Sequence, residues 1–216
     1  MPVGKRKRIA IDSADEKRII RALDEWAKTG DFAGLRLRAF VYLLWDGTVR
    51  TKAALSLQTQ DVVADPKALR VSKQILQPPC EGNRFRELHF HVSDRTRDAI
   101  ADYLRVARNE GWLSNGRLEG PLFLSSYHRG QGKPAAARTM IHGWTLFLEE
   151  RARVSKDYQL DDVVYTGRLA FLKAAGGDSN LLSEHAGISQ TWAAAGYSDK
   201  SSPGSPKAVL DRMHKK

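Results

Sequence analysis

The 216-residue sequence predicts a mainly α-helical protein with one small antiparallel β-sheet. Most of its apolar residues recur at i, i+3 and i+4 spacing, which is typical of amphipathic helices. Two short strand-like runs, residues 69–75 and the alternating 86–92, flank a loop that contains Pro78, Pro79, Gly82 and Asn83, and this pattern predicts a β-hairpin. The fold class is therefore α+β with helices in the majority.

Apolar spacing and end signals place the individual helices. Residues 13–28 carry Ile19 and Leu23 on one face, and Asp12 or Ser13 can cap the start of this helix. We predict further helices over residues 34–45, 50–57, 93–108, 135–154, 160–175, 180–186 and 207–216.

The chain divides into a basic N-terminal tail (1–11), one domain (12–200), and a polar linker with a short basic helix (201–216). The last helix carries apolar residues but lies at the end of the given sequence, where a helix is open to fraying. The basic run at residues 5–8 (KRKR) is open to three interpretations: a DNA-backbone contact, a localisation patch, or a solvated tail.

The net charge of +10 favours a polyanionic partner, most often nucleic acid, although basic proteins also bind ribosomes or acidic membranes. The single cysteine, Cys80, excludes an intramolecular disulfide and fits a reducing cytoplasm. No apolar run reaches the ~18 residues that a membrane helix requires. We expect a cytoplasmic protein, associated with the nucleoid if it is bacterial, with no cofactor and no metal site.

Two arginines and one tyrosine form the set that points to a chemistry. Arg50 follows an apolar helix, Arg168 ends the segment YTGR at 165–168, and Tyr197 lies ten residues after Gly187. Two guanidinium groups suit the non-bridging oxygens of a phosphate, and a phenol can attack its phosphorus. Each residue also has a structural interpretation: a buried Arg50 paired with an acid such as Asp46 or Asp61, a surface charge at Arg168, or a packed ring at Tyr197.

Residues 46–57 (DGTVRTKAALSL) with the following Asp61-Val62, and residues 177–187 followed by Tyr197, resemble the catalytic domain of tyrosine recombinases, the phage integrase family. The resemblance covers roughly residues 9–200. It implies metal-free breaking and rejoining of DNA in site-specific recombination or integration, as in mobile elements.

The resemblance also implies roles for individual residues. Arg50 falls on the first arginine of the family and Tyr197 on its nucleophile. Residues 165–168 look like its His-x-x-Arg box, with Tyr165 in place of the histidine and Arg168 as the second arginine; a rival alignment puts Tyr165 at the arginine position. Lys73 takes the place of the catalytic lysine, with Arg84 or Arg86 as competitors.

The sequence departs from the family at two places. Ile188 stands where the family has His or Trp, and isoleucine cannot donate a hydrogen bond to phosphate. His185, three residues earlier, is a candidate substitute for this role, but a surface histidine is the expected interpretation. The N-terminal DNA-clamping domain of the family has no counterpart before Arg50, so binding is expected to be weaker or to need an accessory DNA-binding protein.

The expected partner is double-stranded DNA, contacted by basic residues of the 135–154 helix and the loop before it: Arg129, Lys133, Arg138 and Arg151. Self-association on DNA through the C-terminal helix is a further expectation. The departures keep open a catalytically degenerate protein that binds DNA without cleaving it. A basic RNA- or ribosome-associated protein is a third candidate, which lacks the aromatic and glycine signatures of common RNA modules.

Overall fold

The computed structural model describes residues 6–65, 68–75, 86–111, 120–125, 132–186 and 206–214. The prediction of a mainly helical fold is confirmed. The helices are α1 (Ser13–Lys28), α2 (Phe32–Gly47), α3 (Thr51–Leu55), α4 (Asp94–Asn109), α5 (Ala137–Phe147), α6 (Leu160–Ala174), α7 (Ser179–Ala186) and α8 (Pro206–Met213). None of the helices in these ranges is long and apolar enough to cross a membrane.

Three strands pair antiparallel in the order β1 (Val62–Asp65), β2 (Ala68–Ile75), β3 (Arg86–His91). Val71 in the central strand lies opposite Val62 on one side and Phe90 on the other. The sequence pattern did not predict β1, because Val62–Asp65 is only four residues long and lacks clear alternation.

Helix α2 is the centre of the fold. Apolar side chains surround it on all sides, so nearly all of its residues are buried, and it contacts α1, α4, α5 and α6. A helix that is apolar all round must be covered on every face. Asp31 caps its start by accepting a hydrogen bond from the main-chain nitrogen of Ala33 at 3.3 Å.

The helix predicted over residues 135–154 is interrupted. It begins as α5, and Leu148–Ala152 then form a π-helical turn. Arg153 ends the turn in the left-handed region with φ of 52°. The apolar face of this stretch, which includes Met140, Trp144 and Phe147, is buried.

The C-terminal helix α8 packs against α6 and α7 of its own chain. Val209 and Leu210 are buried in an apolar cluster with Phe171, Leu172 and Leu182. The expectation of a frayed end is therefore wrong for this helix. Any exchange of α8 with a neighbouring copy would have to begin with the release of α8 from α6 and α7 of its own chain.

Candidate functional site

The site begins with the close approach of α6 to the C-terminal end of α2. A Cβ atom on Gly167 would lie only 2.1 Å from the main-chain oxygen of Trp45, so the two backbones touch where no side chain fits. This close contact fixes the position along the α6 axis at which the next residue, Arg168, faces the C-terminal end of α2.

Arg168 is buried, with 5% of its surface exposed. Its Nη2 donates to the main-chain oxygen of Thr48 at 3.0 Å. Thr48 ends α2 in the left-handed region with φ of 50°, which turns the chain away from the helix axis. The alternative of a surface charge at position 168 is therefore wrong, because the guanidinium is drawn into the junction between α2 and α6.

Arg50 lies two residues beyond Thr48, at the N-cap position of α3. It is exposed, and the buried ion pair considered for it is wrong. Asp46 is instead bound by residues of other helices, and Asp61 accepts from the main-chain nitrogen of Gln58 at 2.8 Å. Arg50 thus presents its charge to solvent beside the buried Arg168.

The two arginines share an electrostatic environment with a third, Arg8. Burial, followed by the positive charges of Arg8 and then Arg50, lowers the pKa of Arg168 to about 10. Asp161 acts in the opposite direction. Three guanidinium groups beside one carboxylate form a region of net positive charge, which favours an anion.

Arg8 belongs to the segment that the sequence left open as a solvated tail. Residues 6–11 are bound along α6: the main-chain nitrogen of Ile9 donates to Asp162 at 3.0 Å, and that of Ile11 donates to Thr166 at 2.9 Å. The solvated-tail interpretation is therefore wrong for these residues. The alternation of Ile9 and Ile11 with charged or small residues was the available signal of an extended, anchored segment.

A cleft of about 630 Å³ lies next to this cluster, between α5, the start of α3 and the loop that leads into α6. Thr51, the neighbour of Arg50, and Asp161, the ion-pair partner of Arg8, both line it. Its floor is apolar and includes Trp144, whose indole nitrogen donates to the main-chain oxygen of Tyr158 at 2.7 Å.

Asp46, fully buried on the last turn of α2, connects this helix to the N-terminal end of α4 and to the C-terminal end of α8. Its carboxylate accepts from the Ser93 hydroxyl, from Thr96 Oγ1 at 2.5 Å and from Nε2 of His214 on the last turn after α8 at 2.8 Å. Burial by itself would raise the pKa of Asp46. Other interactions outweigh this effect of burial and lower the pKa of Asp46 to about 2. They are the hydrogen bond and the charge of His214, the charge of Arg95 and the hydrogen bond from Ser93.

His185 lies in the core beside Asp46, so the expectation of a surface histidine is wrong. It is 1% exposed, stacks on the Phe171 ring with centroids 4.4 Å apart, and its Nε2 lies 2.6 Å from the main-chain oxygen of Asp46. A carbonyl oxygen only accepts, so Nε2 carries the proton. Burial lowers the pKa of His185 to about 4, so the ring is neutral and its one N–H is used.

The other predicted site residues lie elsewhere in the described part of the chain or outside it. Lys73 occupies β2 opposite Leu88. Tyr165 is half-buried on α6, and Lys133 and Arg138 are exposed around the start of α5. Arg129, Arg84, Tyr197 and Ile188 lie outside the described residues.

Arg151 is exposed in the π-helical turn, with its guanidinium 4.2 Å from the centroid of the Trp26 ring. It lines a second cleft, of about 640 Å³, together with Arg18, Arg21 and Arg153. Arg151 therefore lies against α1, on a surface different from the cleft that borders Arg50.

The fold is that of the catalytic domains of tyrosine recombinases, and the resemblance seen in the sequence is confirmed. The crystal structure of XerA recombinase matches over 99% of this chain with a TM-score of 0.62 at 16% identity. XerH recombinase in a post-cleavage complex with its palindromic difH substrate matches over 89% with a TM-score of 0.63 at 11% identity. The Tn1549 transposon integrase bound to transposon right end DNA matches over 93% with a TM-score of 0.59 at 15% identity.

The chain spans 65% of the length of the XerA and Tn1549 integrase chains and 50% of the XerH chain. No protein-family model and no curated protein sequence matches it. At these identities the likeness defines the fold, and the chemistry must be argued from the residues.

Proposed function

We propose that this chain binds duplex DNA and exchanges its strands at specific sites through a covalent phosphotyrosine intermediate. The observation that supports this most is the approach of Arg50 and Arg168, far apart in sequence, to one point of a recombinase fold. Arginine forks bind phosphate oxygens by charge-assisted hydrogen bonds. They also stabilise the charge that develops on those oxygens during attack at phosphorus.

In this mechanism the phenolic oxygen of Tyr197 attacks the phosphorus of a DNA phosphodiester. A bond forms between that oxygen and phosphorus, the bond from phosphorus to the 5′ oxygen breaks, and the phenolic proton passes to solvent. Lys73 donates a proton to the 5′ oxygen, which leaves as a hydroxyl group. Attack by a 5′ hydroxyl on the phosphotyrosine then restores the phosphodiester and the free tyrosine, so the bond energy is conserved without ATP.

The position of Arg168 supports its assignment as the second phosphate-binding arginine, ahead of the rival alignment with Tyr165. Arg168 is the residue of α6 that is held at the end of α2, two residues from Arg50 along that loop. Tyr165 lies nearly one turn earlier on the same helix and is half-buried. It occupies the place of the histidine in the box.

The second candidate is a DNA-binding protein of the same fold without strand cleavage, and the state of His185 favours it. Ile188 cannot donate a hydrogen bond to phosphate, and the single N–H of His185 already donates to the main-chain oxygen of Asp46. A neutral imidazole in this tautomer has no donor left for a transition-state oxygen. If cleavage is retained, another residue must supply that hydrogen bond or the reaction runs without it.

Duplex DNA is the partner in both candidates. The XerH and Tn1549 integrase structures are DNA complexes, and exposed Lys133 and Arg138 near the start of α5 would add phosphate contacts here. Self-association through α8 would require this helix to leave its own α6. We further propose that the protein acts with an accessory DNA-binding protein and is located at the nucleoid.

A suicide-substrate assay tests the proposed function. Duplexes from the DNA that flanks the gene, with bridging phosphorothiolate linkages, are incubated with wild type and Tyr197→Phe, and run on a denaturing gel. A protease-sensitive adduct with wild type, and none with Tyr197→Phe, is the expected result. Salt-sensitive binding without any adduct would favour the second candidate.

A further inference from the structure

The N-terminal segment is held on α6 in a defined register. Ile9 and Ile11, two residues apart, donate to Asp162 and Thr166, which are four residues apart on α6. Two residues of extended chain span about 6.6 Å, and four residues of helix rise about 6 Å. The segment therefore runs parallel to α6. The matched spacing fixes the position of each residue of the segment along the helix axis.

Both ends of the segment are anchored. On one side Arg6 pairs with the buried carboxylate of Asp162 at 3.3 Å and donates to the main-chain oxygen of Asp157 at 2.5 Å. On the other side Ile11 is 4% exposed and belongs to the main core. Arg8 lies between these anchors, so its Cα position is determined by α6, the helix that also carries Arg168.

Arg8 faces Asp161, which lies about two turns before Arg168 on α6 and lines the same cleft as Thr51, the neighbour of Arg50. Its Nη2 lies 3.9 Å from Asp161 Oδ2, and both side chains are about half exposed, at 42% and 54%. A charge-assisted hydrogen bond is usually about 2.7–2.9 Å long, so this contact is a loose, solvated ion pair. A phosphate group with a full negative charge would compete with Asp161 for this guanidinium.

We propose that Arg8 is a third phosphate-binding residue of the site, delivered by the anchored N-terminal segment, and that its ligand is a phosphodiester of duplex DNA. This inference rests on the proposed function, because it takes the anion at Arg50 and Arg168 to be DNA. Arg6 is a positioning residue in this arrangement, since its contacts hold the segment and not the phosphate. A bound phosphate would also offset the desolvation cost of the buried Arg168 and reduce the repulsion among the guanidinium groups.

Equilibrium binding to a duplex over a series of salt concentrations tests this inference. Each phosphate contact contributes about 0.9 to the slope of log K against log salt. Arg8→Gln is expected to lower that slope by about 0.9 and to weaken binding at low salt. Arg105→Gln is the matched control, because Arg105 is also exposed and loosely paired, with Asp102 at 3.6 Å on α4, and it should leave the slope unchanged.

Asp161→Asn tests the same inference in the opposite direction, because this variant is expected to gain DNA affinity. It removes the carboxylate that competes for Arg8, so it should tighten DNA binding more in the wild-type background than in the Arg8→Gln background, where only its general charge effect on the other arginines remains. A wild-type slope with Arg8→Gln, together with a reduced slope for Arg50→Gln, would overturn the inference and leave the proposed function intact.

A thermal-shift measurement with sulfate separates the two possible failures. Sulfate, compared with chloride at equal ionic strength, should raise the Tm of wild type and raise that of Arg8→Gln less. If wild type binds no duplex DNA but shows this difference, the anion site stands and the proposed function falls. If the sulfate shift is equal in the two proteins, Arg8 is not part of an anion site.

Discussion

The guanidinium of Arg168 donates to the main-chain oxygen of Thr48 at 3.0 Å, and this bond joins the middle of α6 to the residue that ends α2. Arg50 follows two residues later, at the N-cap position of α3. The approach of the two arginines is therefore a consequence of helix packing: whatever fixes α6 against α2 also fixes the distance between the two charges.

Gly167→Ala tests that dependence. The added Cβ would lie 2.1 Å from a main-chain oxygen, which cannot move as a flexible side chain would. We expect a loss of about 2 kcal/mol or more in the free energy of unfolding, measured with urea, because overpacking against backbone is costly. DNA affinity should fall with it, since the shift of α6 displaces Arg168.

Gly143→Ala on α5 is the matched control for this substitution. A Cβ at Gly143 meets nothing within 4 Å, so the same change should be neutral or stabilise the protein by up to about 1 kcal/mol through helix propensity. If Gly167→Ala were as stable as Gly143→Ala, the close packing of α6 on α2 would be contradicted.

The buried His185 predicts a loss of stability in mild acid. Its pKa is lowered by burial from 6.5 to about 4 in the folded protein. The unfolded chain binds the proton more readily between these values, so the contribution of His185 is complete above pH 6.5 and is lost as the pH falls towards 4. The expected loss is about 3 kcal/mol, at roughly 1.4 kcal/mol per pH unit.

Unfolding of wild type and His185→Leu in urea at several pH values measures this contribution. The variant should lack the decline between pH 6.5 and 4 that wild type shows, and His142→Gln, at an exposed position, should keep it. Parallel curves for wild type and His185→Leu would mean that the imidazole is accessible to protons in the folded state.

Leu210→Ala tests the packing of α8 on its own chain. Leu210 is 1% exposed in the cluster with Phe171 and Leu182, and truncation of a buried leucine costs about 2–5 kcal/mol. Ile141→Ala, at a side chain that is 52% exposed, should change the free energy of unfolding by less than about 0.5 kcal/mol. A Leu210→Ala effect that grew with protein concentration would instead place α8 on a neighbouring copy.

Much of the helical framework was predictable because its signals are local. Helix α1 has the predicted bounds, since its apolar spacing, the Asp12 cap and the stop at Gly30 all lie within a few residues of its ends. The apolar sequence of α2 likewise predicted a buried helix. Arg50 and Arg168 were found from the order of motifs along the chain, although nothing local indicated that one is exposed and the other buried.

The features that were missed depend on distant partners. The segment around Arg8 looks like a charged tail until Asp162 and Thr166, more than 150 residues away, accept its main-chain hydrogen bonds. His185 has the polar sequence surroundings of a surface residue, and only the main-chain oxygen of Asp46 and the ring of Phe171 give it a place in the core. Patterns within one helix cannot report such contacts.

The most direct test of the central claim, that Arg50 and Arg168 bind one phosphate of duplex DNA, is a double-mutant cycle of binding. Wild type, Arg50→Gln, Arg168→Gln and the double variant are titrated with the same duplex, after thermal unfolding has shown that each is folded. We expect each single variant to weaken binding, and the double variant to lose at least about 0.5 kcal/mol less than the sum of the two single losses, because both arginines hold the same group. Strictly additive losses, or an unchanged affinity for either single variant, would contradict the claim.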